Sequence, residues 1–376
     1  MKIGIIAGEA SGDVLAAGLI KELKHIYPHK IEFYGIGGSK MASEGFNSSF
    51  DMNILSVGGY GLDVLTAIPK ILYIRHKIYK LFIQQKIDVF IGVDAPDFNL
   101  YIEGKLKQAG IKTVHYVSPT IWAWRYQRIF KIKRVTNLVL CVFPMEAPLY
   151  ANEQIPAKYV GHHLADKIDC TIDTNQYKNQ LQLDGTVFTI LVGSRVSEVD
   201  SLGIIFINAC KIINQAVANA TFVFPFSSEK LQNKFINILN THKVEFNYKV
   251  LLNQTTAAIC ASDQVLAKSG TVTLEVALCK KPMIISYKIS KFSEWILRKR
   301  VKIKFVGLPN ILLNEEVAPE LIQRNATAEI LAAEFIKLFN NKEEQQNMTL
   351  KFAQLQHILR QNSNLIAAQA VLSLVE

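Results

Sequence analysis

In Lys2-Ile3-Gly4-Ile5-Ile6-Ala7-Gly8-Glu9-Ala10-Ser11-Gly12-Asp13 an apolar run gives way to two glycines, and beyond it Leu15, Leu19, Leu23 and Ile26 recur on one helical face. A run apolar on both faces suits a strand of a parallel sheet covered by helices. The glycines permit a tight strand-to-helix turn and close ligand approach, while Ser11 or Asp13 can equally serve only as a helix cap. Comparable runs follow at Val89–Val93, Thr113–Val117, Leu138–Val142, Phe188–Val192, Thr221–Phe224, Val265–Ala267 and Met283–Tyr287, separated by amphipathic stretches. The predicted fold class is α/β, with doubly wound parallel sheets.

At 376 residues the chain exceeds the roughly 250–300 residues at which single cores stop growing, so two domains are expected. The polar stretch from Asp166 to Gly185 separates two comparable strand-and-helix sets and is the expected hinge. Two such domains would present the carboxyl ends of both sheets to a central cleft, where doubly wound sheets bind ligands. Residues 343–376 carry a helical pattern that includes Leu350, Ala353, Ile358 and Leu365.

Hydrophobic residues make up 49% and charged residues 20%, which suits a globular chain and excludes a disordered one. The net charge of +10 favours an anionic partner: nucleic acid, a phospholipid surface or a phosphorylated small molecule. The five cysteines are scattered, so neither a zinc knuckle nor a disulfide framework is indicated. The first apolar stretch is too short for a signal peptide, and the most apolar region, Ile54 to Ile74, is interrupted by glycines, Asp63, Pro69 and Lys70. The expectation is a cytoplasmic protein that can touch a membrane without crossing it.

Asp94 directly follows the run Val89–Val93, so its carboxylate is expected at the carboxyl end of a sheet, where it could take a proton from a hydroxyl. Ala95-Pro96 delays the next helix, which Asp97 or Asn99 can cap. In Leu191-Val192-Gly193-Ser194-Arg195 a strand again ends at a small turn, and Arg195 with the amides of a helix start suits a diphosphate. The alternative is an Arg195–Glu198 ion pair at helical spacing. Lys268-Ser269-Gly270-Thr271 repeats the arrangement, with Glu275 one turn onward for ribose hydroxyls; a helix cap is again the alternative. Gly35-Ile36-Gly37-Gly38 lacks the third glycine of a dinucleotide fingerprint. With no Asp-x-Asp triplet and only His162-His163 adjacent, no metal site or other cofactor is expected.

From Lys288 to Lys304, seven basic residues, among them Lys291, Arg298 and Lys299, alternate with Phe292, Trp295, Ile296 and Leu297 against the single acid Glu294. That mixture suits an anionic lipid surface, or else a packed helix with a solvated basic face. Trp122 to Arg134 and Ile68 to Lys86 are further basic stretches with apolar residues between the cations. Nucleic acid is the less favoured partner, since no RNA-binding signature accompanies them.

Taken in order, Gly8–Asp13, Val93–Asn99, His115-Tyr116-Val117-Ser118-Pro119 with Ile121-Trp122-Ala123-Trp124-Arg125, Val160-Gly161-His162, Gly193-Ser194-Arg195, Ser269-Gly270-Thr271 with Leu274-Glu275, and Leu308-Pro309-Asn310 resemble the lipid-A-disaccharide synthases. Val192 stands where that family usually has proline. The resemblance implies a GT-B architecture of two Rossmann-like domains, residues 1–168 and 184–342, with the C-terminal helix 343–376 packing back on the first. It implies an inverting, metal-independent hexosyltransferase joining UDP-2,3-diacylglucosamine to 2,3-diacylglucosamine 1-phosphate (lipid X), with release of UDP and the β-1,6 disaccharide 1-phosphate. Asp94 matches the proposed base. Glu9, Ser11, Asp13, Asp97 and Asn99 fall on the acceptor side, and Gly193, Ser194, Arg195, Ser269, Gly270, Thr271, Glu275 and Asn310 on the nucleotide side. Lys291, Trp295, Arg298 and Lys299 are then the expected contacts with the inner membrane's cytoplasmic face, and self-association is left open. The rivals are another UDP-sugar enzyme, such as an epimerase, and a non-catalytic basic binding module.

Overall fold

The computed structural model describes residues 1–55, 62–289 and 304–375, with side chains at all of these except 62–67. The predicted membrane contacts Lys291, Trp295, Arg298 and Lys299 lie outside the described residues. The chain divides into two compact units, Met1–Asp166 with Leu359–Glu376, and Lys167–Ile358.

In the first unit β1 (Lys2–Ala7), β2 (Glu32–Ile36), β3 (Val89–Val93), β4 (Lys112–Tyr116), β5 (Leu138–Cys141) and β6 (Ala157–Tyr159) form a parallel sheet in the order β2-β1-β3-β4-β5-β6. Its helices are α1 (Ala10–Ile26), α2 (Ser39–Ser43), α3 (Leu62–Gln85), α4 (Pro96–Gln108), α5 (Arg128–Val135) and α6 (Glu146–Asn152), with α7 (His163–Lys167) at its boundary. Ile3, Ile5, Ile6, Val89, Phe90 and Ile91 are fully buried, the two-sided burial that the apolar runs called for. Leu15, Leu19 and Leu23 of α1 are buried as well.

The second unit repeats the plan. Its strands are β7 (Val187–Leu191), β8 (Thr221–Phe226), β9 (Tyr248–Leu252), β10 (Gln264–Lys268), β11 (Met283–Tyr287) and β12 (Glu320–Ile322), in the parallel order β12-β11-β10-β7-β8-β9. Around them lie α8 (Thr174–Gln180), α9 (Val196–Ala216), α10 (Glu229–Thr241), α11 (Thr255–Ala261), α12 (Thr271–Leu278), α13 (Leu308–Leu313), α14 (Ala328–Asn340) and α15 (Lys342–Leu359). Phe188 is the centre of an aromatic core, meeting Phe335 and Phe339 edge-on at 4.9 and 5.0 Å.

The C-terminal segment divides differently from the expected 343–376. Residues up to Ile358 belong to the second unit, where the Met283 N–H meets Met348 Sδ at 3.3 Å and Gln356 joins Lys280 Nζ at 2.6 Å and the Ile168 carbonyl at 2.8 Å. Only the last helix, α16 (Ser363–Val375), packs on α1 in the first unit. The Asp166 carboxylate caps its start, accepting from the N–H groups of Gln361, Asn362 and Ser363 at 3.1, 2.9 and 2.7 Å.

Asp13, in the first turn of α1, does similar work. It is 3% exposed, and its carboxylate accepts from the N–H groups of Gly38, Lys40 and Met41 at 2.8, 2.9 and 3.1 Å. It therefore caps α2, a neighbouring helix, rather than its own, and its oxygens are committed to backbone amides rather than turned to an acceptor. Replacing Asp13 by Ala strands three amides, two of them in the first turn of α2, and should destabilise the first unit by about 2 kcal/mol or more. Chemical unfolding followed by tryptophan fluorescence reads this; an unchanged midpoint would contradict the capping role.

Candidate active site

Strand order reverses once in each sheet. In the first unit the reversal falls between β1 and β3, which are paired with Ala7 opposite Val93. Loops leaving neighbouring strands there turn to opposite faces of the sheet and leave an opening at its carboxyl end. The turn Gly8–Glu9, leading into the first turn of α1, and the turn Asp94–Ala95, leading into α4, meet at that opening. They touch, since a Cβ on Gly8 would lie 2.2 Å from that of Ala95.

Asp94 is half-buried and its N–H donates to the Tyr116 carbonyl at 2.8 Å. Asp94 and Ala95 both have left-handed backbone, with φ of 54° and 42°. Each such residue costs about 1–3 kcal/mol without glycine, and strain of this kind gathers at functional turns. Glu9 and Ser11 are exposed on the facing loop, Glu9 occupying the N-cap position of α1 with its side chain not used as the cap. Beside them is a cavity of about 630 Å³ lined in part by Ala10, Gly38, Lys40, Phe50 and Asn53.

Neither Asp97 nor Asn99 caps α4, which already begins at Pro96 and has Ala95 at its N-cap. Asp97 is exposed and pairs with Arg128 at 2.7 Å, while its carbonyl accepts from Arg75. Asn99 is fully buried, and its amide reaches back beneath the Asp94 turn. One turn further along α4, Glu103 bonds His115 Nδ1 at 2.7 Å with both side chains fully buried, and burial raises the Glu103 pKa.

The segment after β4 is tied down by buried polar groups. Ser118 Oγ meets the Tyr150 hydroxyl at 2.8 Å, and Trp122 Nε1 donates to Glu146 at 3.3 Å. Glu146 also accepts from the Phe143 N–H at 3.1 Å, and burial pushes its pKa up to about 8. His162 stacks between Phe143 and His163 at centroid distances of 5.6 and 5.0 Å, and burial followed by the His163 charge lowers its pKa to about 3. It is a neutral packing group at physiological pH.

In the second unit the reversal lies between β7 and β10, and here too the predicted loops follow those strands. Arg195 is exposed at the N-cap of α9, and its guanidinium forms no ion pair among the described residues. Glu198 instead pairs with Lys268 at 2.7 Å and accepts from the N–H groups of Ser194 and Arg195 at 2.8 and 3.2 Å. Burial acts to raise the Glu198 pKa, but Lys268 and these amides outweigh it and hold it below the ordinary value. Gly193, at φ of 132°, leaves room for this carboxylate, which a Cβ would approach to 2.6 Å. The Lys268–Glu198 bridge thus joins the two turns and leaves Arg195 available to a ligand. The sequence signal for it was a lysine closing the buried strand before Ser269.

Thr271 is exposed and Gly270 is the N-cap of α12, whereas Ser269 is buried and donates to the Val306 carbonyl at 2.7 Å. Glu275 accepts from the Thr256 hydroxyl, and burial raises its pKa. Asn310 departs furthest from expectation. Fully buried, it donates to the Ala318 carbonyl and Glu320 at 2.7 and 2.8 Å and accepts from the N–H groups of Val317 and Ala318 at 2.9 Å. All its polar capacity is spent on the 310–320 loop. Among the described residues no three His, Cys, Asp or Glu side chains gather as metal ligands.

Two parallel six-stranded units, each with its strand order reversing once, define the GT-B class of fold. A UDP-GlcNAc 2-epimerase from Neisseria meningitidis, solved with UDP-GlcNAc, superposes with a TM-score of 0.69 at 12% identity over 99% of this chain and 100% of that one. The Anabaena protein HepE, solved with UDP and glucose, gives 0.58 at 12% identity over 99% and 100%. The chain belongs to the lipid-A-disaccharide synthetase family, whose model matches residues 3–373. It is similar to the lipid-A-disaccharide synthases of Dechloromonas aromatica, at 43% identity over 99% of this chain and 98% of that protein, and of Chromobacterium violaceum, at 42% over 99% and 97%.

Glu146 gives a pH test of the packing behind this site. Its folded pKa of about 8 lies above the ordinary carboxylate value of 4.5, so the folded state holds a proton that the unfolded state gives up. The stability it contributes is complete below about pH 4.5 and is lost as pH rises through about 8. Glu146→Gln should therefore gain stability relative to the parent between pH 5 and pH 8.5 in paired denaturation curves. A constant difference between the two proteins would contradict a protonated Glu146.

Proposed function

We propose that this chain transfers the diacylglucosamine of UDP-2,3-diacylglucosamine to the 6-hydroxyl of 2,3-diacylglucosamine 1-phosphate, forming the β-1,6 disaccharide 1-phosphate and UDP. Family membership gives the reaction class; the single observation that ties it to residues is Asp94 on its strained turn at the first reversal. In this scheme Asp94 takes the proton from the acceptor hydroxyl as its oxygen bonds the anomeric carbon from the face opposite the leaving group. The bond from that carbon to the diphosphate breaks, and configuration inverts. Arg195, with the amides at the starts of α9 and α12, receives the diphosphate charge. Glu275 binds the ribose hydroxyls. The scheme needs no cofactor. Glu9 and Ser11, with the cavity between Ala10 and Lys40, form the acceptor side.

Both substrates carry acyl chains, and each methylene left in the bilayer is worth about 0.8 kcal/mol, so the enzyme works at a membrane surface. No helix among the described residues is long and apolar enough to cross one. On α3, Ile68, Leu72 and Tyr73 are 42%, 53% and 57% exposed, beside Lys70, Lys77 and Lys80. An apolar stripe flanked by cations is the form of an interfacial helix, and we assign it to peripheral attachment on the cytoplasmic face of the inner membrane.

Asp94→Asn should lower turnover by about 10²–10⁴-fold while UDP affinity stays near that of the parent. Arg195→Ala, by contrast, should weaken UDP binding and turnover together. Full activity of Asp94→Asn rules out its role as base. In a separate test, Leu72→Ser combined with Tyr73→Ser should reduce co-sedimentation with vesicles of phosphatidylethanolamine and phosphatidylglycerol; unchanged partitioning removes α3 as the attachment surface.

A further inference from the structure

Asn99 has no part in the bond changes just described, yet its side chain is built into the turn that carries Asp94. Its amide nitrogen donates to the Asp94 carbonyl at 2.8 Å and lies 3.3 Å from the carbonyls of Val93 and Ile6. It thereby gathers the ends of β1 and β3 and the first left-handed residue onto one donor group. Fully buried, this amide has no water to replace those partners.

The surroundings fix the amide in turn. A Cβ on Gly92 would lie 2.4 Å from Glu103 Oε1 and 2.8 Å from Asn99 Cβ, so only glycine in β3 leaves space for both side chains. Glu103 is itself anchored to His115, the residue opposite Gly92 in β4. On the other side Gly8 faces Ala95 so closely that a Cβ at Gly8 would lie 2.2 Å from that of Ala95. Asp94 and Ala95 have consecutive left-handed φ values of 54° and 42°, so a rotation of the Asp94 backbone would displace its carboxylate.

We propose that Asn99 is a positioning residue for the transfer reaction, holding the Asp94 carbonyl so that the carboxylate stays aimed at the acceptor hydroxyl. The proposal rests on the reading of Asp94 as the base. An aim off by about 1 Å is enough to cost on the order of 10²-fold in rate.

The test is steady-state and single-turnover kinetics of Asn99→Ala, alone and combined with Asp94→Asn. In the single variant, kcat should fall about 10–100-fold, with the KM for the nucleotide sugar and the affinity for UDP within about twofold of the parent. In the Asp94→Asn background the same change should have no further effect, because an aim without a base is worth nothing. A merely structural role predicts the opposite: losses that multiply, or a KM that rises with the fall in kcat, and either result overturns the proposal. So does an unchanged kcat in Asn99→Ala. If the single variant does not fold, Asn99→Ala is read in an Ala95→Gly background, where the left-handed backbone costs less. A fully active Asp94→Asn overturns the base reading; an inactive Asp94→Asn beside a fully active Asn99→Ala overturns the positioning role alone.

Discussion

The reversal of strand order in a parallel sheet is the constraint from which this molecule's chemistry follows. Where β1 meets β3, and again where β7 meets β10, successive crossovers leave for opposite faces, so the carboxyl end between each pair is uncovered. Every polar group of the loops at that place must be satisfied by another loop, by a buried side chain or by a ligand. The units meet this demand with carboxylates or amides that each serve several backbone groups. Asp13 and Asn99 do so around the first opening, and Glu198 around the second. Asp94 is left half-buried and Arg195 exposed beside these groups.

The two units solve the problem with different electrostatics. In the first, polar groups beneath the turn are neutral or internally paired, as in Asn99 and the Glu103–His115 contact, so the Asp94 carboxylate has no fixed cation among them. In the second, Lys268 pairs with Glu198 while Arg195, at the start of α9, forms no ion pair among the described residues. In the proposed transfer the Asp94 carboxylate would take the proton and the Arg195 cation would receive the departing diphosphate.

Much of this was legible in the sequence, and the parts that were not have a common cause. All eight apolar runs are strands, three of them with unchanged bounds: Lys2–Ala7, Val89–Val93 and Met283–Tyr287. The four strands that no run announced, β2, β6, β9 and β12, are the four sheet edges, where one side or end is solvated and residues such as Glu32, Lys158, Lys249 and Glu320 break the pattern. Strand-end motifs gave the positions of Asp94 and Arg195, since a strand end fixes where a side chain emerges. They gave no indication of which polar neighbour each side chain chooses. Arg195 and Glu198 have the right spacing to pair, but Lys268, seventy residues away, takes the carboxylate. The family resemblance put Asn310 on the nucleotide side and Asn99 on the acceptor side; burial turns both inward onto backbone that periodicity cannot locate. In the C-terminal tail Leu350 and Ile358 are exposed, and Met348, Phe352 and Leu355 form the buried face instead.

The central claim is that the two openings serve one transfer between two acylated sugars. Its most direct test is to offer the protein UDP-2,3-diacylglucosamine and 2,3-diacylglucosamine 1-phosphate in mixed micelles and follow products by mass spectrometry. The account predicts a disaccharide bearing a single phosphate, formed in equal amount with UDP and only when the acceptor is present. Consumption or epimerisation of the UDP-sugar without acceptor, or no disaccharide when both are supplied, would contradict it.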